Sequence, residues 1–311
     1  MRVLDAASVE AALDYPRLIE ALRAAFRDGA TVPVRSHHRV ATEGAPGTLL
    51  LMPAWTKGGP IGVKIATVFP DNGARGLPAV QAVYLLMDGT TGTPMALLDG
   101  PTLTARRTAA ASALAADYLA RRDAERLLIV GTGAVARQLI PAHAAARPIR
   151  RVMVWGRNPA KAEALAAEAR GRGLVAEGVS DLAAAAAQAD IVSCATLARE
   201  PLIAGEWLAP GTHLDLVGGF TPQMREADDA AVRRAGLFVD TREGALSEAG
   251  DLVDPIRRGI IRTEDIRADL HDLCSGRHPG RRSEEEITLF KSVGTALEDL
   301  AAARLAVGQG A

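Results

Sequence analysis

The turn Gly131-Thr-Gly133-Ala-Val-Ala136 constrains the fold of this chain more than any other feature. It follows RLLIV (126–130), an apolar run of strand length, and opens the helically spaced stretch RQLIPAHAAA. In that setting each residue of G-x-G-x-x-A has a physical task. Gly131 permits the tight turn, Gly133 lets the backbone approach a pyrophosphate, and Ala136 allows close helix–sheet packing. The helix N-terminus then offers the phosphates free N–H groups and a favourable dipole. The downstream pattern agrees with a dinucleotide-binding unit. RRVMVWG predicts a second strand, 159–170 a helix, 174–176 a strand, 181–188 a helix, and DIVSCAT, HLDLVG and LFVDT further strands. Strands alternating with helices imply a doubly wound parallel sheet, so the fold class is α/β of Rossmann type. One long helix, from Glu284 to about Leu305 with Ser283 as N-cap, is expected to close the chain.

The second strand selects the dinucleotide. A site for NAD would place an acid near its end, to bond the ribose 2′-OH. Here the strand ends Val154-Trp155-Gly156-Arg157-Asn158, with a cation and no carboxylate. Arg157 suits a 2′-phosphate, and Asn158 suits either the ribose or a cap on the next helix. NADPH is therefore the expected cofactor, with NADH as an accepted alternative.

The first third of the chain has a different pattern. Pro16 opens a helix that places Leu18, Leu22, Ala25 and Phe26 on one face, with Gly29 near its end. TLLLMPAW, IGVKIATVF and AVQAVYLLMD then read as strands, the last returning through Gly89-Thr-Thr-Gly92 into PMALLD as a hairpin. This predicts a mostly antiparallel sheet. A helix follows from Thr102 to Leu119. Of the 36 basic residues only Lys57, Lys64, Lys161 and Lys291 are lysines. Lys57 and Lys161 read as surface positions. Strand alternation puts Lys64 on a face with the small residues Gly62 and Ala66, a placement from which an amine reaches either a cavity or solvent. Arg106 and Arg107 begin the apolar helix TAAASALAADYL, where a buried guanidinium needs an anion. Arg35 and Arg39 bracket His37-His38 on what reads as a surface loop.

Several classes find no support. Acids and arginines interleave to a net charge of −1, which argues against a nucleic-acid surface. Two cysteines make no disulfide framework, and Cys194 lies in an apolar run as a buried thiol. H-E-x-x-H, paired C-x-x-C and G-x-S-x-G are all missing, so no metal centre or serine-hydrolase elbow is expected. The N-terminal MRVLDAASVEAAL lacks the apolar core of a signal peptide, and no run approaches about 18 apolar residues, so a cytoplasmic, membrane-free protein is expected.

LLMPAW, GVKIATVFPDN, GLPAVQAVYLLMDGTTGTPMALLDG, LTARRTAAASALAADYL, VGTGAVA, GTHLDLVGGFTPQMREAD and EITLFKSVGTALEDLAA, taken in order, resemble the ornithine cyclodeaminase/μ-crystallin family. The resemblance covers nearly the whole chain. It implies an α+β substrate-binding and dimerisation domain of residues 1–118 with 291–311, a Rossmann domain of 119–290, and a homodimer. Matched by motif, Arg35, Lys64 and Arg107 fall at substrate-carboxylate and active-site positions, Lys64 being the implied catalytic group. Thr108, Gly133, Ala134, Arg157 and Asn158 fall at cofactor contacts, beside Gly131 of the turn. The cyclodeaminases carry a catalytic Asp after the paired glycines of V-G-G-D. This chain has Val217-Gly218-Gly219-Phe220, which puts ornithine ring closure in doubt. The expected activity is therefore reduction of cyclic imino acids, Δ1-pyrroline-2-carboxylate to L-proline and Δ1-piperideine-2-carboxylate to L-pipecolate. The alternatives within the family are an ornithine cyclodeaminase and an alanine dehydrogenase-like enzyme. Outside enzymes, the resemblance allows a non-catalytic NADPH-binding crystallin-like protein.

Overall fold

The computed structural model describes residues 1–308. In chain order its elements begin with β1 (Arg2–Leu4), α1 (Ala6–Ala12), α2 (Tyr15–Asp28), β2 (Ser36–Val40), β3 (Gly47–Trp55), β4 (Ile61–Val68), β5 (Val80–Met87), β6 (Pro94–Asp99) and α3 (Gly100–Leu119). Next come β7 (Arg126–Val130), α4 (Ala134–Ala146), β8 (Arg151–Trp155), α5 (Pro159–Arg170), β9 (Val175–Gly178), α6 (Leu182–Gln188), β10 (Ile191–Cys194) and β11 (His213–Leu216). The remainder are α7 (Asp229–Arg234), β12 (Gly236–Val239), α8 (Arg242–Glu248), α9 (Gly250–Arg257), β13 (Ile266–Asp269), α10 (Leu270–Cys274), β14 (Thr288–Lys291) and α11 (Ala296–Ala306). No helix among the described residues is long and apolar enough to cross a membrane.

The chain divides into two compact units, residues 1–107 with 295–311 and residues 108–294. The boundaries expected at 118/119 and 290/291 are thus displaced. The first falls inside α3, whose periodicity runs unbroken through the division and so hides it. The second falls just past β14, which belongs to the parallel sheet. Residues 309–311 of the expected C-terminal segment lie outside the described residues.

The discontinuous unit is built on a six-stranded sheet ordered β1-β6-β5-β4-β3-β2, antiparallel throughout except that β1 runs parallel to β6. Its register places Met52, Lys64, Tyr84 and Leu98 in one cross-strand row, all buried. The adjacent row, Leu51, Ile65 and Val83, projects to the opposite face, where Val83 is 39% exposed. Arg39 and the two histidines sit on β2, a strand and not the expected loop. This polar strand is the sheet's edge, and charged side chains there discourage unwanted pairing.

The second unit holds an eight-stranded parallel sheet ordered β13-β12-β14-β11-β10-β7-β8-β9. Strand order reverses at β7, which lies between β10 and β8, so the crevice at the carboxyl ends of β7 and β10 is the topological switch point. The helix expected over 284–305 is instead β14 followed by α11. All four residues of β14 are buried because the strand lies inside the sheet, and a strand buried on both faces carries no clean alternation to distinguish it from a helix. Gly294, at φ +79°, then separates it from α11, whose N-cap is Thr295 rather than Ser283.

Candidate active site

The candidate dinucleotide cavity belongs to the parallel unit. Gly131, Thr132 and Gly133 line a cavity of about 670 Å³, together with Trp155–Asn158, Lys161, and the residues after β10 from Ala195 onward. Gly131 has φ +125°, a conformation that L side chains rarely adopt, and a Cβ there would stand 2.5 Å from the Ala195 carbonyl oxygen. The turn therefore touches the loop across the switch point. Gly133 is the N-cap of α4 with extended backbone, and nothing lies within 4 Å of where its Cβ would be. That open cradle at a helix N-terminus fits a pyrophosphate. Asn158 caps α5, accepting from the amides of Ala160 and Lys161 at 3.0 and 3.2 Å. Arg157 is exposed on the cavity wall and is joined there by Lys161, a residue that sequence reading had placed on an ordinary surface. Ala134 is the first residue of α4, and Thr108 is buried in α3; neither is among the residues lining this cavity.

The second cluster belongs to the discontinuous unit. Lys64 is only 5% exposed, and its Nζ lies 2.8 Å from Asp299 Oδ2. Arg107 donates from Nε to Asp299 Oδ1 at 2.8 Å and from Nη1 to Glu298 Oε2 at 2.6 Å. Both acids come from the first turn of α11, and both are fully buried. Burial pushes the Lys64 ammonium down, Asp299 pulls it up, and Arg107 and Arg35 push it down again, leaving a pKa of about 8. Arg35 thus acts on Lys64 electrostatically from just before β2, so the three expected substrate residues share one electrostatic neighbourhood. Burial raises the Asp299 carboxyl, but Arg107 and then Lys64 outweigh it and hold the group below its ordinary range. Tyr84, opposite Lys64 on β5, has a buried hydroxyl with no hydrogen-bond partner, and burial followed by the Asp299 charge raises its pKa. Gly62 is required beneath it, because a Cβ there would overlap the Tyr84 Oη.

Arg106 and Arg107 have separate fates. The Arg106 guanidinium donates from Nε to the Leu13 carbonyl at 2.9 Å, pairs with Glu10 at 3.3 Å, and stacks over Tyr15 at 4.5 Å, so it ties α1 and α2 to α3. Arg107 turns to the acids of α11. Sequence reading found both cations but missed Glu298 and Asp299. Their signal was two adjacent acids inside the otherwise apolar stretch ALEDLAAA. Chemically, the cluster joins a permanent guanidinium to an amine that titrates near neutrality, a combination able to hold a carboxylate and exchange a proton. In the other unit Phe220, which follows Gly218-Gly219, is 47% exposed.

Comparison with known proteins places these features in a family. Residues 1–309 match the model of the ornithine cyclodeaminase/mu-crystallin family. A Δ1-pyrroline-2-carboxylate reductase of Paracoccus denitrificans is 47% identical over 277 residues, covering 89% of this chain and 88% of the relative. The Thermococcus litoralis Δ1-pyrroline-2-carboxylate reductase, solved with NADH and L-proline, superposes with a TM-score of 0.93 at 37% identity, covering 99% of this chain and 97% of the other. An archaeal alanine dehydrogenase dimer with bound NAD gives a TM-score of 0.90 at 30% identity, covering 99% and 95%.

Proposed function

The chain belongs to the ornithine cyclodeaminase/mu-crystallin family, and from that premise we propose that it reduces the C=N bond of cyclic imino acids. The reaction is Δ1-pyrroline-2-carboxylate to L-proline, with Δ1-piperideine-2-carboxylate to L-pipecolate as the six-membered counterpart. The observation that carries this reading is the buried Lys64–Asp299–Arg107 cluster, in a chain whose paired glycines are followed by Phe220 and not by an acid. Ornithine cyclisation asks for a carboxylate to take a proton from a free amine, whereas a preformed ring needs only an apolar wall there. The Paracoccus and Thermococcus relatives support the same reaction.

Arg107 holds the substrate carboxylate, and Arg35 adds to the positive field. The Lys64 ammonium gives its proton to the imine nitrogen as the C=N bond becomes C–N, and solvent then reprotonates the amine. Asp299 keeps Lys64 charged at neutral pH. Bound nicotinamide supplies the hydride for the imine carbon C2. Gly131 and Gly133 admit the dinucleotide, and Arg157 with Lys161 would hold a 2′-phosphate, giving NADPH preference with NADH accepted.

The outer row of the antiparallel sheet, with Leu51, Ile65 and Val83 in register, also supports a homodimer in which a second copy covers this face. The test is nicotinamide oxidation across a panel of cyclic imines and 2-oxo acids. Consumption of both cyclic imino acids is expected, with Lys64→Met and Arg107→Ala each losing most of kcat/KM. Parent-like turnover by both variants, or cofactor binding with no imine reduced, would sink the reading.

A further inference from the structure

Behind the cofactor cavity lies a second buried charge cluster that the proposed chemistry does not use. Glu226, Asp251 and Lys291 are each fully buried in the parallel unit. Glu226 Oε1 accepts from the Thr196 amide at 2.7 Å and from the Thr196 hydroxyl at 2.8 Å, and its Oε2 accepts from the Gly218 amide at 2.8 Å. Its own amide donates to Asp251 Oδ1 at 2.7 Å, and Asp251 Oδ2 lies 3.2 Å from Lys291 Nζ. Lys291 ends β14, paired in register with Leu216 at the end of β11, so the chain of contacts is rooted in the middle of the sheet.

We propose that Glu226 is a positioning residue for the nicotinamide dinucleotide, clamping Thr196 to Gly218 and so fixing the cavity wall at the switch point. Thr196 lines the cavity, and its neighbour Ala195 is the residue that a Cβ on Gly131 would strike. The wall and the dinucleotide turn therefore abut, and a shift in one displaces the other.

Three observations distinguish the clamp from packing. Every donor that Glu226 satisfies through its carboxylate belongs to a loop after β10 or β11, at the sheet's ligand-binding edge. The glycine pair is shaped to the cluster. A Cβ at Gly218 would strike the clamped Thr196 backbone first, 2.0 Å from its carbonyl oxygen, and come within 2.5 Å of Glu226 Oε1, and one at Gly219 would come within 3.0 Å of Asp251 Oδ2 and 3.2 Å of Lys291 Nζ. Finally, two carboxylates against one ammonium are an expensive filling for a core, where apolar residues of similar volume are often as stabilising. Burial raises the Glu226 carboxyl to about 7, with Lys291 opposing that rise and Asp251 adding to it, as expected where charge balance is tight.

The proposal rests on the nicotinamide-cofactor reading but not on the identity of the imine. Its test is fluorescence titration of the whole protein with NADPH and NADH, with no imine present. In Glu226→Gln one acceptor becomes an NH2 facing the N–H of Thr196 or Gly218. Both dinucleotides should then bind about tenfold more weakly, while in a separate turnover assay with Δ1-pyrroline-2-carboxylate the loss falls on KM for the dinucleotide and not on kcat at saturating cofactor. Glu226→Asp keeps the charge opposite Lys291 but withdraws the oxygens by one methylene, and it should weaken binding in the same sense. Leu237→Ala, a core truncation on β12, should lower Tm with dinucleotide affinity intact. Parent-like affinity in either folded Glu226 variant overturns the proposal. So does equal weakening by Leu237→Ala, or failure of both Glu226 variants to fold. Absence of imine reduction alongside weakened binding would overturn only the substrate assignment.

Discussion

Lys64 shows how burial gives a scarce residue a distinct electrostatic setting. An arginine in its place would stay charged at every working pH, whereas a buried lysine beside two guanidiniums titrates near 8. Asp299 sets the sign of the first prediction. Its charge raises the Lys64 pKa, so Asp299→Asn leaves burial, Arg107 and Arg35 unopposed. The alkaline limb of kcat/KM, expected near pH 8 in the parent, should move down by about one pH unit or more. A limb that stays in place would remove Lys64 as the proton donor. The asparagine Oδ1 can still accept from Arg107 Nε, so this variant changes charge more than geometry. On the cofactor side, Arg157→Ala should raise KM for NADPH by about tenfold, the worth of one charge-assisted hydrogen bond, and leave KM for NADH unchanged. Equal effects on both dinucleotides would separate Arg157 from the 2′-phosphate.

Elements differ in how openly their sequence declares them. The strand–turn–helix around Gly131 is legible because each position has a separate local requirement, and the two glycines fail differently when changed. Gly131→Ala forces a methyl into a positive-φ backbone and against the Ala195 carbonyl, so it should cost about 1–3 kcal/mol of stability and lower Tm as well as dinucleotide affinity. Gly133→Ala meets nothing in the protein and should leave Tm in place while its methyl obstructs the pyrophosphate. Calorimetry paired with dinucleotide titration checks both, and a matched drop in Tm would contradict the contrast. β14 and α11 read as one helix in sequence because ITLFK is buried on both faces, so it shows no clean polar–apolar alternation, and its partners, β11 and β12, are remote in sequence. β2 was read as a loop because an edge strand is free to be polar. In both cases neighbours, not local periodicity, decide the element.

At the scale of the whole molecule, the discontinuous unit is completed only when α11 returns to the sheet that the first hundred residues began. That return brings Glu298 and Asp299 to Arg107 across separations of 191 and 192 residues. The same unit leaves Val83 of the outer row 39% exposed in the single chain, with Leu51 and Ile65 half-buried beside it. The parent is expected to run as a dimer in light scattering, and Val83→Glu, which puts a charge into that face, should shift it toward monomer. A monomeric parent would show that the open face has no second copy to cover it. The sequence by itself determined the dinucleotide turn, the missing acid after the second strand and the two-part fold class, because these depend on backbone freedom, hydrophobic period and residue chemistry within short windows. Only the tertiary structure decided that Arg106 braces the first helices while Arg107 meets two buried acids, that Lys161 lines the cofactor cavity, and that Lys291 stands behind it through Asp251 and Glu226. Those outcomes depend on which charges are buried together, and burial is a property of segments far apart in sequence.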